Sequence, residues 1–408
     1  MTGAFLKHIQ LLKKIPTTAF ISTMLRVSYM ILVLIAVKLT FNVYTSQEFI
    51  EFNYVLFLVG ISSFIYYPFT IDLWQKNMKN HSIGIGLAVF LCLFFILGSV
   101  ILFFVKSFQL SFWIIFGTMC YGVAKYFERI NYVARLTDHQ YFTAYLLTFV
   151  FLALEYAGLL FIYFLDWSVA VRLFLPGLVI IYVIKTFFLR GLASHAQNTC
   201  TSFRQYFGRK NIFLVIYMGF FSVTIVCDRA IAYSEQENLA VILLVFSFTT
   251  SILTLFTVII DTFRPKIIET FNNKERLSVL WRQTIIVLAL FYLVSVTLGY
   301  FIAVKLSLIP DGMFIYWGSF LTVNLLISLS HLFQITRQSQ KEMKLINIAW
   351  GITLLLKIGL FSLYKTIGLS YLSFVQSLVC VFCITLGMNY YYECKFLAQK
   401  YGSSGKSA

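Results

Sequence analysis

The sequence predicts an all-α, polytopic membrane protein, with about twelve transmembrane helices in two six-helix bundles around a central cavity. Of its 408 residues, 60% are hydrophobic and only 12% are charged, whereas soluble domains are about half apolar and about a quarter charged. The apolar residues fall into twelve stretches, each near the roughly 20 residues that a helix needs to cross a bilayer. Lys and Arg concentrate at alternate ends of these stretches, as expected for a chain that crosses the membrane repeatedly.

The first six stretches form the predicted N-terminal bundle, assigned to residues 1–200. They are Thr17–Thr40, Phe49–Trp74, Ile83–Val105, Phe112–Arg135, Tyr141–Leu165 and Val169–Leu189. The longest gap between stretches, Arg190–Asn211, follows the sixth and is the predicted boundary between the halves.

The other six stretches form the predicted C-terminal bundle, assigned to residues 201–400, and residues 401–408 are predicted to be a flexible cytosolic tail. The stretches are Ile212–Ser234, Leu239–Phe263, Leu277–Val304, Met313–Thr336, Met343–Tyr364 and Ser370–Phe396. A short motif occurs at corresponding positions in the two halves. The second stretch ends Ile71-Asp72-Leu73-Trp74 and the eighth ends Ile260-Asp261-Thr262-Phe263, an I-D-x-aromatic match at an offset of 189 residues. Two halves that each contain six spans would be related by an axis along the membrane normal.

The distribution of basic residues predicts the orientation. If the N-terminus is cytosolic, 24 of the 32 Lys and Arg residues lie at cytosolic ends and five lie at outer ends. This is the asymmetry of the positive-inside rule, which places both termini in the cytosol. It also accounts for the net charge of +16, so we expect no nucleic-acid partner.

The candidate substrate-binding residues are five charged residues that lie deep in the predicted spans or in their outer parts: Arg26, Glu155, Asp228, Arg229 and Lys357. A charge near the bilayer centre costs roughly 2.5 to 3.5 kcal/mol on insertion scales, so such residues usually face a polar interior. Three cations and two carboxylates leave a net charge of +1, which favours an anionic headgroup. Alternatives stay open from the sequence alone. The adjacent Asp228 and Arg229 can neutralise each other, the other cations can extend to the membrane surfaces, and Glu155 can be buried in neutral form.

Cysteine and histidine provide no further site. The seven cysteines are an odd number and predict no disulfide framework. Cys380 and Cys383 form a lone C-x-x-C, which we interpret as helix packing rather than a metal site. The histidines, among them His331, are interpreted as polar residues near the cytosolic ends of spans. We therefore expect neither a metal nor a cofactor.

Three features occur together: the six-plus-six division, the seventh span with Asp228-Arg229 before Ala232-Tyr233-Ser234, and Pro265-x-x-x-Glu269 after the eighth span. In this combination the chain resembles the polysaccharide flippases, of the O-antigen type, in the multidrug/oligosaccharidyl-lipid/polysaccharide exporter superfamily. The resemblance implies export of a polyprenyl-pyrophosphate-linked oligosaccharide across the bacterial inner membrane. It also implies contact with membrane lipids and, as partners, a polysaccharide polymerase and chain-length proteins. The chain departs from the related drug antiporters, because its first span contains Arg26 and no acidic residue.

Two other classes of protein compete with this interpretation. An ion-coupled small-solute antiporter of the same superfamily fits the fold equally well, and the excess of cations disfavours it only weakly. An integral-membrane polymerase or glycosyltransferase would need acids, Arg or His gathered on a sizeable loop, and the short predicted outer loops argue against such an enzyme.

Overall fold

The computed structural model describes residues 239–340, 342–368 and 370–404, together with scattered residues within 25–49, 132–153 and 212–224. Most of these residues are helical, and none of them lies in a strand. The helices of the long continuous part are α1 Leu239–Glu269, α2 Lys274–Val294, α3 Tyr300–Lys305, α4 Phe314–Leu332, α5 Ile335–Ser339, α6 Lys344–Ile367 and α7 Tyr371–Ser404. A π-helical segment, Ser295–Gly299, joins α2 to α3.

Five apolar helices in the described part are long enough to cross a membrane: α1, α2 continued through α3, α4, α6 and α7. They coincide with the eighth to twelfth predicted spans, and the all-α membrane fold is thereby confirmed. The predicted spans of the N-terminal half lie wholly or largely outside the described residues, as does the boundary segment Arg190–Asn211.

Helix α4 lies at the centre of these five helices and is parallel to α1. The rings of Phe246 and Phe320 are 5.1 Å apart, and one turn further along both helices Asn324 Nδ2 donates to the carbonyl oxygen of Thr249 at 2.8 Å. Helix α7 is also parallel to α4, because the ring contacts between the two helices advance in the same direction. These contacts are Tyr316–Tyr371, at 6.3 Å, and Phe333–Tyr390, at 5.1 Å.

Helices α2, α3 and α6 run antiparallel to α1, α4 and α7. Trp281 near the start of α2 contacts Phe333 just after the end of α4, at 5.6 Å between rings, while Tyr300 at the start of α3 contacts Phe314 at the start of α4, at 5.1 Å. Helix α6 is antiparallel to α7: the hydroxyls of Thr353 and Thr385 are 2.6 Å apart, and Tyr364 meets Phe374 nearer the other end. Alternation of direction is the arrangement that consecutive membrane crossings require.

Helices α2 and α3 expose an apolar face on one side of the bundle. Its large side chains are about half exposed, among them Ile286, Leu290, Leu293, Leu298 and Phe301. Helix α4, by contrast, is buried along most of its length. A row of exposed apolar side chains of this size is unfavourable in water, so we infer that α2 and α3 face the bilayer.

Three features of the helices differ from the predicted spans. Helix α1 continues through Pro265 to Glu269, although proline removes a backbone donor and often ends a helix. The tenth predicted span, Met313–Thr336, is interrupted at Phe333 and Gln334, after which α5 begins. The ninth predicted span contains the π-helical segment, whose Ser295 carbonyl accepts from Trp317 Nε1 at 3.1 Å. Insertions of this kind are common where a helix meets local constraints or a functional site.

Helix α7 is longer than a membrane crossing requires. Its 34 residues span about 51 Å at 1.5 Å per residue, against a hydrocarbon core of about 30 Å. It extends to Ser404, into the segment predicted to be a flexible tail. Its end packs against the turn between α1 and α2, where Tyr401 Oη donates to the Phe271 carbonyl at 2.7 Å and Lys400 Nζ lies 3.1 Å from the centre of the Phe271 ring.

Candidate functional site

Of the five residues predicted to bind substrate, Lys357 alone lies among the described residues. Arg26, Glu155, Asp228 and Arg229 lie outside them. The binding role of all five stays a prediction.

Lys357 lies in the interior, between three helices. Its side chain is 1% exposed. Its Nζ donates to the carbonyl oxygen of Thr224, in the seventh predicted span, and lies 5.5 Å from the centre of the Phe382 ring on α7. A carbonyl dipole and an aromatic face both stabilise a buried ammonium group. Lys357 is therefore a buried cation that bridges α6, α7 and the seventh predicted span.

Polar side chains continue from Lys357 along the interface of α6 and α7. Thr353, one turn before Lys357, shares a hydrogen bond with Thr385 at 2.6 Å. One turn further along α7, Asn389 Nδ2 donates to the Thr385 carbonyl at 3.0 Å. All three side chains are fully buried, so this interface contains a polar seam within an apolar bundle.

At the end of this seam lies a buried ion pair that was not predicted from the sequence. Arg337 Nε is 2.7 Å from Glu393 Oε2, and Arg337 Nη2 donates to the Asn389 carbonyl at 3.2 Å. Thr336 Oγ1 donates to the second carboxylate oxygen of Glu393. Burial lowers the pKa of the Arg337 guanidinium, and the Glu393 carboxylate raises it in opposition. The signal in the sequence was Glu393 itself, a carboxylate inside the predicted span Ser370–Phe396.

A second polar contact joins α1 to α4. Arg264 Nη2 lies 2.7 Å from His331 Nε2, and Arg264 Nε lies 3.4 Å from Asp261 Oδ1. Because arginine only donates, Nε2 of His331 must be the unprotonated acceptor in this contact. His331 lies in the last turn of α4, near the predicted end of its span, and its 9% exposure and contact with α1 were not predicted. Asp261, from the I-D-x-aromatic match, is fully buried.

Aromatic side chains fill the space between these polar groups. The rings of Tyr217 and Phe221, in the seventh predicted span, lie 6.5 Å and 4.9 Å from that of Trp350 on α6. Phe221 also lies 5.8 Å from the His331 ring, and Trp350 lies 6.5 Å from Phe382. Cations, hydroxyls, amides and aromatic rings thus lie in the interior of the C-terminal half, on α1, α4, α5, α6, α7 and the seventh predicted span.

The described residues contain no cluster of His, Cys, Asp and Glu suited to a metal ion. Cys380, Cys383 and Cys394 are free and exposed on α7. The pair at 380 and 383 therefore lies outside the buried core of the described residues.

Comparison with solved structures identifies the fold. The chain is similar to a mutant of the Vibrio cholerae MATE transporter VcmN, with 13% identity over 95% of this chain and 98% of that one, at a TM-score of 0.58. It is similar to a MATE transporter in complex with MaL6, with 11% identity over 92% and 95% of the two chains, at a TM-score of 0.60. A third similar structure is an outward-facing multidrug resistance MATE family transporter of the MOP superfamily, with 14% identity over 93% and 96%, at 0.51. No protein-family model and no curated protein matches the sequence.

Proposed function

We propose that this chain, which has the fold of the MATE transporters, flips a polyprenyl-pyrophosphate-linked oligosaccharide from the cytosolic to the outer leaflet by alternating access. The likeness in fold over more than nine-tenths of the chain supports a membrane transporter. The sequence features that resemble O-antigen flippases support the lipid-linked substrate, which would serve the synthesis of a cell-surface polysaccharide.

The observation that carries the proposal is the buried cation at Lys357. Burying an ammonium group until it is 1% exposed, beside a carbonyl oxygen and an aromatic ring, costs desolvation energy, and charged residues inside membrane spans often mark substrate pathways. An anionic pyrophosphate would compensate that cost when it binds. Arg26 and Arg229 are proposed to add planar donors for the phosphate oxygens, with Asp228 orienting Arg229 and Glu155 lining the same cavity.

Such a transporter must move the polar hydroxyl groups of a sugar across the hydrocarbon core of the membrane. A desolvated hydroxyl without a partner costs on the order of 1 to 3 kcal/mol, so an oligosaccharide needs a shielded polar path. The polyprenyl tail is as apolar as the lipid chains and can stay in the bilayer. Movement of one bundle relative to the other would expose the same polar site to each side in turn.

Polar contacts hold several helices of the described residues together. Hydrogen bonds and ion pairs connect α1 to α4 through Arg264 and His331, and α5 to α7 through Arg337 and Glu393. Packed elements with few alternative arrangements move as rigid units rather than deform continuously. The relative movement is therefore proposed to occur between the halves.

An ion-coupled small-solute antiporter is the second candidate, because one of the similar solved structures is a multidrug resistance transporter. The two candidates differ in the expected role of Lys357. A cationic drug would be repelled by a buried ammonium group, whereas a pyrophosphate would be attracted to it.

The test uses proteoliposomes with a defined polyprenyl-pyrophosphate-linked disaccharide, measuring the fraction that reaches the opposite leaflet. Wild-type protein should accelerate its movement, Lys357→Ala should reduce the rate, and Lys305→Ala should not, because Lys305 is an exposed lysine at the end of α3. Absence of disaccharide movement together with export of small organic cations would replace the flippase by the antiporter.

A further inference from the structure

The lipid-facing side of α2 begins among exposed charged side chains at the turn between α1 and α2. Four cations and two carboxylates lie between residues 266 and 282, which leaves this end of the two helices with a net charge of +2. All six are exposed: Lys266, Glu269, Lys274, Glu275, Arg276 and Arg282. Neither Arg276 nor Arg282 is in an ion pair within the part of the chain that the structure describes. This end of α2 therefore presents two guanidinium groups that are available to an anion.

Arg276 and Arg282 lie on either side of the point where the apolar face of α2 begins. At 3.6 residues per turn, each is about 60° around the helix from Val279, in opposite directions. Val279, Ile286 and Leu290 follow one another along the same side of the helix, and each is about half exposed. The two guanidinium groups thus flank the first apolar side chain of a face that continues into the bilayer.

The length of α2 and α3 places these side chains near the membrane surface. The continuous stretch Lys274–Lys305 has 32 residues, about 48 Å at 1.5 Å per residue, against a hydrocarbon core of about 30 Å. If the excess is shared equally, about six residues at each end lie beyond the hydrocarbon. Arg276 and Val279 are then at the depth of the lipid headgroups, and Arg282 is at the boundary with the acyl chains. A long arginine side chain at that boundary extends toward the headgroups.

The chemistry at this end suits a lipid phosphate with net negative charge. A guanidinium group offers planar paired donors to phosphate oxygens, and basic side chains near a membrane surface attract anionic lipids. The other end of the same face is different. It has one exposed cation, Lys305, whose Nζ lies 5.7 Å from the centre of the Phe301 ring, and the exposed carboxylate Asp311 follows nearby in the chain. Charge complementarity therefore favours an anionic lipid at the Arg276 end.

We propose that this surface of α2, formed by Arg276, Val279, Arg282, Ile286 and Leu290, binds an anionic phospholipid. The headgroup phosphate lies between the two arginines, and an acyl chain lies along Ile286 and Leu290. The inference goes beyond the proposed function, because it assigns a lipid site on the outside of the bundle, whatever substrate is transported. Glu275, next to Arg276 in the first turn of α2, repels the same headgroup, so the carboxylate limits the affinity of the site.

The experiment measures lipid preference directly. Purified full-length protein in uncharged micelles is titrated with phosphatidylglycerol, which is anionic, or with phosphatidylcholine, which is zwitterionic, both with the same acyl chains. Native mass spectrometry gives the dissociation constant of the first bound lipid, and the ratio of the two constants is the preference. The variants are Arg276→Gln, Arg282→Gln and Glu275→Gln. The matched control is Lys344→Gln, because Lys344 is an exposed cation in the first turn of α6, next to the exposed apolar Ile348.

We expect each arginine variant to reduce the preference for phosphatidylglycerol by about fivefold, the usual contribution of one basic residue near an anionic surface. Glu275→Gln should increase the preference, and Lys344→Gln should leave it unchanged. The thermal midpoint of each variant without added lipid checks folding. Arg276→Lys and Arg282→Lys, which should retain more preference than Lys344→Gln variants combined with the loss of either arginine, replace any glutamine variant that does not fold.

Three results would overturn the inference. The first is equal affinity of the wild type for the two phospholipids, or an arginine variant whose preference matches that of Lys344→Gln. The second is binding of polyprenyl pyrophosphate without binding of phosphatidylglycerol, which would make this surface a substrate site. The third is a dimer in the mass spectrum that dissociates when the two arginines are replaced, which would make it an interface between copies of the chain.

Discussion

The ion pair between Arg337 and Glu393 permits the sharpest test of how this bundle is held together. Its closest contact is 2.7 Å, and both side chains are 2% exposed or less. Removing one member of a buried pair leaves an uncompensated charge, which typically costs about 3 to 5 kcal/mol. We therefore expect Glu393→Ala to reduce the free energy of unfolding by about that amount, because Arg337 would lose its carboxylate and Thr336 its acceptor.

Replacing both members should cost much less. Buried ion pairs exchanged for apolar groups of similar size are often neutral or stabilising, so Arg337→Met combined with Glu393→Leu should be more stable than Glu393→Ala alone. The free energy of unfolding is measured by equilibrium denaturation in mixed micelles, with Glu275→Ala as the control because Glu275 is exposed in the first turn of α2. A Glu393→Ala cost no larger than that of the control, or a double variant that loses the full sum of the single costs, would refute the reasoning.

Three further predictions concern orientation, the buried lysine and the end of α7. A cysteine at Ser202, on an otherwise cysteine-free background, should be labelled by an impermeant reagent only after the membrane is opened. The reason is that the positive-inside rule places Arg190–Asn211 in the cytosol. Labelling of this cysteine in intact cells would show that the topology is the opposite of the one predicted. Lys357→Met should reduce translocation of a pyrophosphate-linked probe and leave the protein in the membrane, while Lys357→Arg should retain more activity; full activity of Lys357→Met would remove the cation from the mechanism. Tyr401→Phe should lower stability by about 0.5 to 1.5 kcal/mol, the usual net value of one hydrogen bond, since Tyr401 Oη donates to the Phe271 carbonyl; an unchanged thermal midpoint would show that the end of α7 does not contribute.

Sequence alone determined the fold class and the positions of the helices, because in a bilayer both depend on local composition. An apolar run of sufficient length must become a helix where no water can satisfy the backbone, so predicted spans such as Leu239–Phe263 and Met343–Tyr364 coincide with α1 and α6. A single charge inside such a run is equally visible, because it interrupts an otherwise apolar composition, and Lys357 is therefore recognisable from the sequence.

Only the tertiary structure decided which polar residues meet. Arg337 and Glu393 are 56 residues apart in the chain, and Arg264 and His331 are 67 apart; near the ends of helices, their side chains look like ordinary membrane-surface residues. At the end of a helix, a polar side chain can point to water or to a neighbouring helix. The hydropathy of the sequence is identical in the two cases, so it does not distinguish them. Packing of α4 between α1 and α7 removes that ambiguity, since it excludes water from those faces and pairs buried charged groups such as Arg337 with partners on another helix.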